Sequence, residues 1–183
     1  MRRDLVVRAI AGDHDAFAQL AAAALGRSYS IARLILRDPE LAQDAVQEAF
    51  VAAWRDLAGL RDPDRFEPWL TRLVVRSCYR EARRRQRVGR FEMDIGYIEP
   101  GAPDESRRIA DRDQLERGFR HLEPEQRAIL VLHFFGGLPL TEVAEMLAIP
   151  TGTVKSRLHR AMQAIRATLD ADARAATLRE ERA

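Results

Sequence analysis

The sequence predicts an all-α protein: two small helical domains joined by an acidic, irregular linker. Three observations carry the prediction. Apolar residues recur at three- and four-residue spacing through most of the chain, and no alternating run or internal repeat competes with that period. One segment, 88–109, breaks the period with Gly89, Gly96, Pro100, Gly101 and Pro103 and carries Glu92, Asp94, Glu99, Asp104 and Glu105, which is how a connection between domains is composed. The last periodic stretch, LPLTEVAEMLAIPTGTVKSRLHRAMQAIR at 138–166, reads as two helices joined by a very short turn. With 183 residues, 46% apolar and 32% charged, the chain has enough apolar content for two such cores.

In the first half, Gly12 and Asp13 read as a stop and an N-cap before a helix carrying Phe17, Leu20, Ala24, Ile31, Leu34 and Ile35, with Gly26 as its weak point. Asp38-Pro39-Glu40 is a stronger start: a capping carboxylate, a proline in the first turn and a second carboxylate toward the helix dipole. The helix it opens, to about residue 57, keeps Ala45, Val46, Ala49, Phe50, Ala53, Trp54 and Leu57 on one broad face. Gln43, Asp44, Gln47, Glu48 and Val51 lie on another, which is compact and acidic. AGLRDPDR at 58–65 lacks any period and reads as a loop. Phe66, Trp69, Leu70, Leu73 and Val74 then resume the helical spacing, and Pro68 is tolerable because it falls in the first turn. Along this helix Arg72, Arg76, Arg80, Arg83 and Arg87 stack on one side, thickened by Arg84, Arg85 and Arg90 and offset only by Glu81. Such a stripe suits a polyanion, and the aromatic pair at its head suits unstacked bases.

Beyond the linker, Leu115, Phe119 and Leu122 predict one helix, and Pro124 starts another through Ala128, Ile129, Leu132 and Phe135, ended by Gly136-Gly137. The stretch that follows is the most informative. Its first helix, 140–148, turns Val143, Ala144 and Leu147 to one face, with Ala144 small enough for a close crossing. Pro150 interrupts it and suits a new start near Thr151. In the second helix Val154, Leu158, Ala161 and Ile165 form the inward stripe. Thr151, Thr153, Lys155, Ser156, Arg157, His159 and Arg160 stay outside, crowding the first turns with hydroxyls and cations, and Lys155 is the only lysine in the chain. A helix start with unpaired amides favours a phosphate, so this helix-turn-helix is expected to bind duplex DNA in the major groove. The expected organisation is a first domain over 1–87, the linker 88–109, a second domain over 110–169 and a charged tail at 170–183.

Composition narrows the function further. The formal net charge is only +2, so the overall balance hides a local excess of arginine. A single cysteine, Cys78, leaves no internal disulfide or cysteine-rich zinc site, and the cytoplasm is the natural compartment. No run approaches a membrane span, and the N-terminus turns acidic before any signal-like apolar core, so neither membrane insertion nor export is expected. His14, His121, His133 and His159 are scattered without metal-ligand spacing, and no glycine-rich loop follows a strand. No metal, cofactor, small-molecule substrate or catalysis is expected of this chain.

Four segments, taken in order, carry a family resemblance: DPELAQDAVQEAFVAAW at 38–54, FEPWLTRLVVRSCYREARRR at 66–85, LEPEQRAILVLHFFGGL at 122–138 and TGTVKSRLHRA at 151–161. Together they resemble a bacterial RNA polymerase sigma factor of the sigma-70 family, in its extracytoplasmic-function (ECF) group. The resemblance implies a sigma-2-like bundle followed by a sigma-4-like helix-turn-helix domain. It implies that Gln43, Asp44, Gln47 and Glu48 meet the β′ clamp helices of core RNA polymerase, with the β flap as a further contact. It assigns the −10 element, held as an opened non-template strand, to the loop and helix carrying Arg61, Arg65, Trp69, Arg72, Arg76, Arg80, Arg83 and Arg84. It assigns the −35 element, read as duplex, to the polar face from Thr151 to Arg160, and it implies restraint by an anti-sigma factor.

Two departures from the family pattern stand out. Arg76 and Arg80 occupy positions where many relatives have Asn and Asp, so the arginine stripe is heavier than usual. Pro139 stands where a Ser or Thr cap is common, leaving Thr141 or a turn to satisfy the amides of the first helix. The tail after Leu169 lacks the apolar content of an extra domain. Two other readings predict different behaviour. A helix-turn-helix regulator acting without polymerase would footprint a duplex alone, and a nucleic-acid-processing enzyme would cleave with a metal.

Overall fold

The computed structural model describes residues 2–88 and 117–180, all of whose regular elements are helical. These residues form two compact units, one on each side of the segment 89–116. The linker expected at 88–109 therefore lies almost wholly outside the described residues, as do Leu115 and Arg90; α4 below still includes Val88.

The N-terminal unit contains α1 (Arg2–Ile10), α2 (His14–Leu36), α3 (Pro39–Asp56) and α4 (Phe66–Val88). Gly12 takes a φ of +94° to end α1, and the Asp13 carboxylate accepts from the Ala16 amide at 2.9 Å to open α2. Gly26 does not interrupt α2, which runs unbroken for 23 residues. The junction to α3 is sharper than the sequence suggests, because Arg37 itself adopts the left-handed conformation, φ 60°, with its amide bonded to the Arg33 carbonyl at 2.9 Å. Asp38 then caps α3, accepting from the amides of Glu40 at 2.9 Å and Leu41 at 3.0 Å. Its other oxygen receives the Arg85 guanidinium from α4.

The face that α3 buries is lined with alanine: Ala42, Ala45, Ala49 and Ala53 are each 0% exposed. Side chains that small let neighbouring helices approach closely. Ala53 joins a core of Val6, Ala16, Leu20, Ala24, Leu57, Phe66 and Leu70, with Phe17, Phe50 and Trp69 half-buried against it. The stretch read as a featureless loop holds two 3₁₀ turns, Leu57–Gly59 and Pro63–Arg65, the second capped by Asp62. Cys78 is buried in α4, and burial pushes its thiol up to about 12, so it is not a nucleophile at neutral pH.

In the C-terminal unit a helical turn at 117–120 precedes α5 (Pro124–Leu130), α6 (Leu140–Leu147) and α7 (Thr151–Glu180). Leu122, Leu130, Ala161 and Ile165 form its core, joined by Phe119, Leu158, Ala164 and Leu169. The buried Arg127 donates to the Leu122 carbonyl at 2.9 Å, tying α5 to the turn before it. Phe135 departs from its expected place beside Ala128, Ile129 and Leu132, being 50% exposed next to Phe134 at 63%. The cause is a π-helical turn at Val131–Phe135, closed by the Gly136 amide on the Val131 carbonyl at 2.8 Å. The wider turn shifts the register, so Leu130 and Val131 go inward and the two phenylalanines outward. Gly136 permits this closure, since a Cβ there would lie 2.4 Å from the Leu132 carbonyl oxygen. Into the charged segment after Leu169 the helix α7 continues through Glu180.

Asp38 thus serves one helix as a cap and another as an ion-pair partner. Burial pushes its carboxyl up, but the Leu41 amide, the Arg85 guanidinium and the Glu40 amide together hold it below the ordinary carboxylate range. Asp38→Ala is expected to lower the stability of the chain in urea unfolding by about 1–2 kcal/mol at neutral pH. A carboxyl with a depressed folded pKa stabilises above its unfolded value and loses that contribution as pH falls through the folded one. The gap between wild type and variant should therefore shrink below about pH 4.

Candidate nucleic-acid interface

The helix-turn-helix is built as the residues require. The α6 helix ends at Ala148, which takes a left-handed φ of 54° and donates its amide back toward the Ala144 and Glu145 carbonyls. Pro150 then starts α7, its carbonyl accepting from Thr153 at 2.9 Å and Val154 at 3.1 Å. Val143 and Ala144 of α6 and Val154 of α7 are buried, and Ala161 further along α7 is buried with Leu122, Leu130 and Ile165. No side chain caps α6 at Pro139, and Thr141 stays exposed.

Of the polar residues expected on the outer face, Lys155, Ser156, His159 and Arg160 are exposed, while Thr151, Thr153 and Arg157 are half-buried. The Ser156 hydroxyl donates to the Thr153 carbonyl at 3.0 Å, and Arg160 Nε reaches the Ser156 carbonyl at 3.4 Å. These local bonds leave the Ser156 oxygen lone pairs and the rest of the Arg160 guanidinium directed at solvent, as groove contacts need.

The arginine helix of the other unit is less uniform than its sequence. Arg61, Arg65, Arg76, Arg80, Arg83 and Arg84 are exposed. Trp69 is half-buried, its ring 6.0 Å from that of Phe66. Arg72 is half-buried, and its Nε lacks a hydrogen-bond partner. Arg84 lies 3.7 Å from Glu81, the one offsetting carboxylate the sequence identifies. Two more offset the stripe from α3: Glu48 pairs with Arg80 at 3.1 Å, and Asp38 pairs with Arg85. Sequence gave no signal for either, because the partners are 32 and 47 residues apart. The side chain of Arg87 lies outside the described residues. At the head of the helix Arg2 pairs with Glu67 and Arg3 with Asp64, so α1 carries cations against an acidic loop.

On α3, Gln43, Asp44 and Gln47 are exposed, whereas Glu48 is half-buried by its pairing with Arg80. Beside them runs an apolar groove of about 910 Å³ between α2 and α3, lined by Phe17, Leu25, Val46, Phe50, Val51 and Trp54 with Gln43 and Gln47 at its edge. Val51, 62% exposed, is its one hint in the sequence, as an apolar residue on the acidic face; Leu25, 52% exposed, carries no such mark. No group of three or more His, Cys, Asp or Glu side chains among the described residues could hold a metal ion. None of the described helices is long and apolar enough to cross a membrane.

Most of these surfaces fall within two matched family models. Sigma-70 region 2 matches residues 20–88, and sigma-70 region 4 matches residues 112–165. The ECF RNA polymerase sigma factor SigM of Mycobacterium tuberculosis is 33% identical over 158 residues, covering 86% of this chain and 79% of that protein. The chain belongs to the ECF sigma factors. The RNA polymerase sigma-H factor of Pseudomonas aeruginosa is 32% identical over 181 residues, covering 89% of this chain and 91% of the relative. The solved structure of CnrH in complex with the cytosolic domain of CnrY is similar to the fold at a TM-score of 0.65. That match has 29% identity over 93% of this chain and 98% of CnrH. A sigma factor initiates transcription without being an enzyme. Region 2 of this sigma factor spans most of α2 with α3 and α4, and region 4 includes the whole turn from α6 to α7.

The left-handed Ala148 sits at the bend that aims α7. A Cβ in that conformation is unfavourable by roughly 1 kcal/mol, a cost glycine does not carry. Ala148→Gly is expected to raise the stability of the chain by about 0.5–1 kcal/mol in thermal unfolding while leaving its helical circular dichroism unchanged.

Proposed function

We propose that this sigma factor acts in the cytoplasm, binds core RNA polymerase through α3, and directs it to promoters by reading two DNA elements with its two domains. The single observation that carries the reading is the paired match to regions 2 and 4, with exposed cations on the elements each region supplies. The exposed face of α3, with Gln43, Asp44 and Gln47 beside Glu48, is the surface we assign to the β′ clamp helices. The β flap is a further polymerase contact. Arg61, Arg65, Arg76 and Arg83, with Trp69, Arg72, Arg80 and Arg84, take the opened −10 strand. An aromatic ring beside cations suits unstacked bases and their phosphates. Thr151, Thr153, Lys155, Ser156, Arg157, His159 and Arg160 take the −35 duplex, where a recognition helix meets base edges from its first turns. The working units are 1–87 and 110–169, linked through 88–109. The chain supplies binding energy, and polymerase supplies all bond chemistry.

A protein inhibitor is the second partner. The relative CnrH is held in its structure by the cytosolic domain of another protein. The groove between α2 and α3, edged by Gln43 and Gln47, offers apolar surface beside the assigned polymerase face. An anti-sigma factor covering both would exclude polymerase.

In-vitro transcription with core polymerase over a promoter library tests the function directly. Defined transcripts should appear only when chain and core are combined. Metal-dependent cleavage by the chain alone, or an operator footprint without polymerase, would replace this reading with the enzyme or the regulator. In the same assay Arg157→Ala and Arg160→Ala should each weaken −35 selectivity by about 1–3 kcal/mol where they contact a base, and less where they touch phosphate. Asp44→Ala should lower affinity for core polymerase in titration with no change in the helical spectrum of the free chain.

A further inference from the structure

Arg80 carries its charge into the arginine stripe, yet its guanidinium is already engaged. A guanidinium offers two double-donor edges, Nη1 with Nη2 and Nε with Nη2, and both include Nη2. In this chain Nη2 donates to the Ser77 hydroxyl at 2.9 Å and lies 3.1 Å from Glu48 Oε1. Ser77 is wholly buried and fixed in α4, so the guanidinium is held against the helix from one side and by α3 from the other. With one Nη2 hydrogen spent on Ser77 and the Glu48 carboxylate beside the same nitrogen, Arg80 has less to offer a phosphate than an unpaired arginine. The carboxylate is the less satisfied partner, because Glu48 Oε2 is buried with no hydrogen bond. A buried acceptor in that state favours any donor brought to it.

Glu48 also belongs to the face assigned to polymerase, and Arg80 to the surface assigned to the −10 strand. We propose that the Glu48–Arg80 ion pair is a latch: in the free chain Glu48 withholds Arg80 from DNA, and a cationic or amide donor of polymerase at Glu48 releases it to a strand phosphate. Glu48 is thus a positioning residue whose effect on DNA passes through Arg80. The inference rests on the assignment of α3 to polymerase and α4 to the opened strand. It adds an order of events, in which the chain becomes a better strand binder once polymerase is in place. The pair is partly exposed, with side-chain accessibilities of 58% for Arg80 and 43% for Glu48, so the latch is a bias of modest size.

The test uses the full chain and a fluorescent single-stranded oligonucleotide copied from the non-template strand of a promoter recovered by transcription. Affinity is measured by anisotropy across a salt series, for the chain alone and with saturating core polymerase. Glu48→Gln should tighten binding by the free chain about two- to fivefold, the range of an exposed ion pair. It should also steepen the salt dependence by about 0.7 in log-log slope, one added phosphate contact on a single strand. Arg80→Ala should abolish that gain and weaken strand binding by the holoenzyme, and in the holoenzyme Glu48→Gln should give no gain because the latch is already open. Helical spectra and melting temperatures confirm that both variants fold. A gain that persists in the Arg80→Ala background would be general charge repulsion and would overturn the latch. No gain in the free chain, or an equal gain with polymerase present, would overturn it too. Those failures leave promoter-specific transcription intact, whereas absence of transcripts from wild-type chain and core would instead remove the assignment beneath it.

Discussion

The N-terminal unit depends on how close α3 can come to its neighbours. Four alanines, at 42, 45, 49 and 53, present almost no side-chain bulk, so they contribute little hydrophobic area of their own. Their contribution is geometric: they bring the larger side chains of α2 and α4 into contact across a narrow gap, as a packed interior demands. A larger residue at any of the four would push α3 outward and misplace both of its outer faces. Because polar residues alternate with those alanines along one helix, the same close packing presents Gln43, Asp44 and Gln47 to solvent and sets Glu48 against Arg80. The exposed polar face of α3 and the Glu48–Arg80 ion pair are both consequences of one small-residue seam.

The C-terminal unit obtains its geometry differently, from two backbone irregularities. A π turn at Val131–Phe135 rotates the end of α5, and a left-handed Ala148 bends the chain between α6 and α7. Neither is favourable locally, so each persists only because packing around it determines the conformation. The Leu138 amide bonds to the Leu132 carbonyl at 3.1 Å, and His133 Nδ1 donates to the Leu138 carbonyl at 2.7 Å, which fixes the chain after the π turn. Burial of Val143, Ala144 and Val154 fixes the second bend. These contacts fix the direction of α7, and the outer face of its first turns is left exposed.

What could be read from the sequence follows the range of the interaction responsible. Caps and stops act over a few residues, so Asp13, Asp38, Pro39, Pro124 and Pro150 mark helix starts correctly, and the apolar stripes of α3 and α7 predict their buried faces. Left-handed alanine and arginine carry no such mark, because the residues that usually signal that conformation are Gly and Asn. The π turn is hidden for a related reason: VLHFF has ordinary helical spacing, and only Gly136 hints that the register changes. The candidate sites divide the same way. The exposed face of α7 was legible because it is the complement of one helix's own stripe. The availability of the arginines in α4 was not, since it depends on carboxylates contributed by α3.

That last dependence changes what the arginine stripe is. Counted along the sequence it is a uniform cationic ridge, and a uniform ridge would bind any polyanion with an affinity set by salt alone. Counterions and carboxylates compete for the same guanidinium donors, and a carboxylate held in place by the fold competes more effectively than one free in solution. Arg80, Arg84 and Arg85 each lie within 4 Å of a carboxylate, from Glu48, Glu81 and Asp38, and Arg80 and Arg84 stay exposed as Arg76 and Arg83 do. The ridge thereby becomes a short row of available cations set among matched ones, with Trp69 nearer its start. Non-specific affinity rises with the number of cations free to displace counterions, and selectivity does not, so matching some of the arginines limits the first without cost to the second.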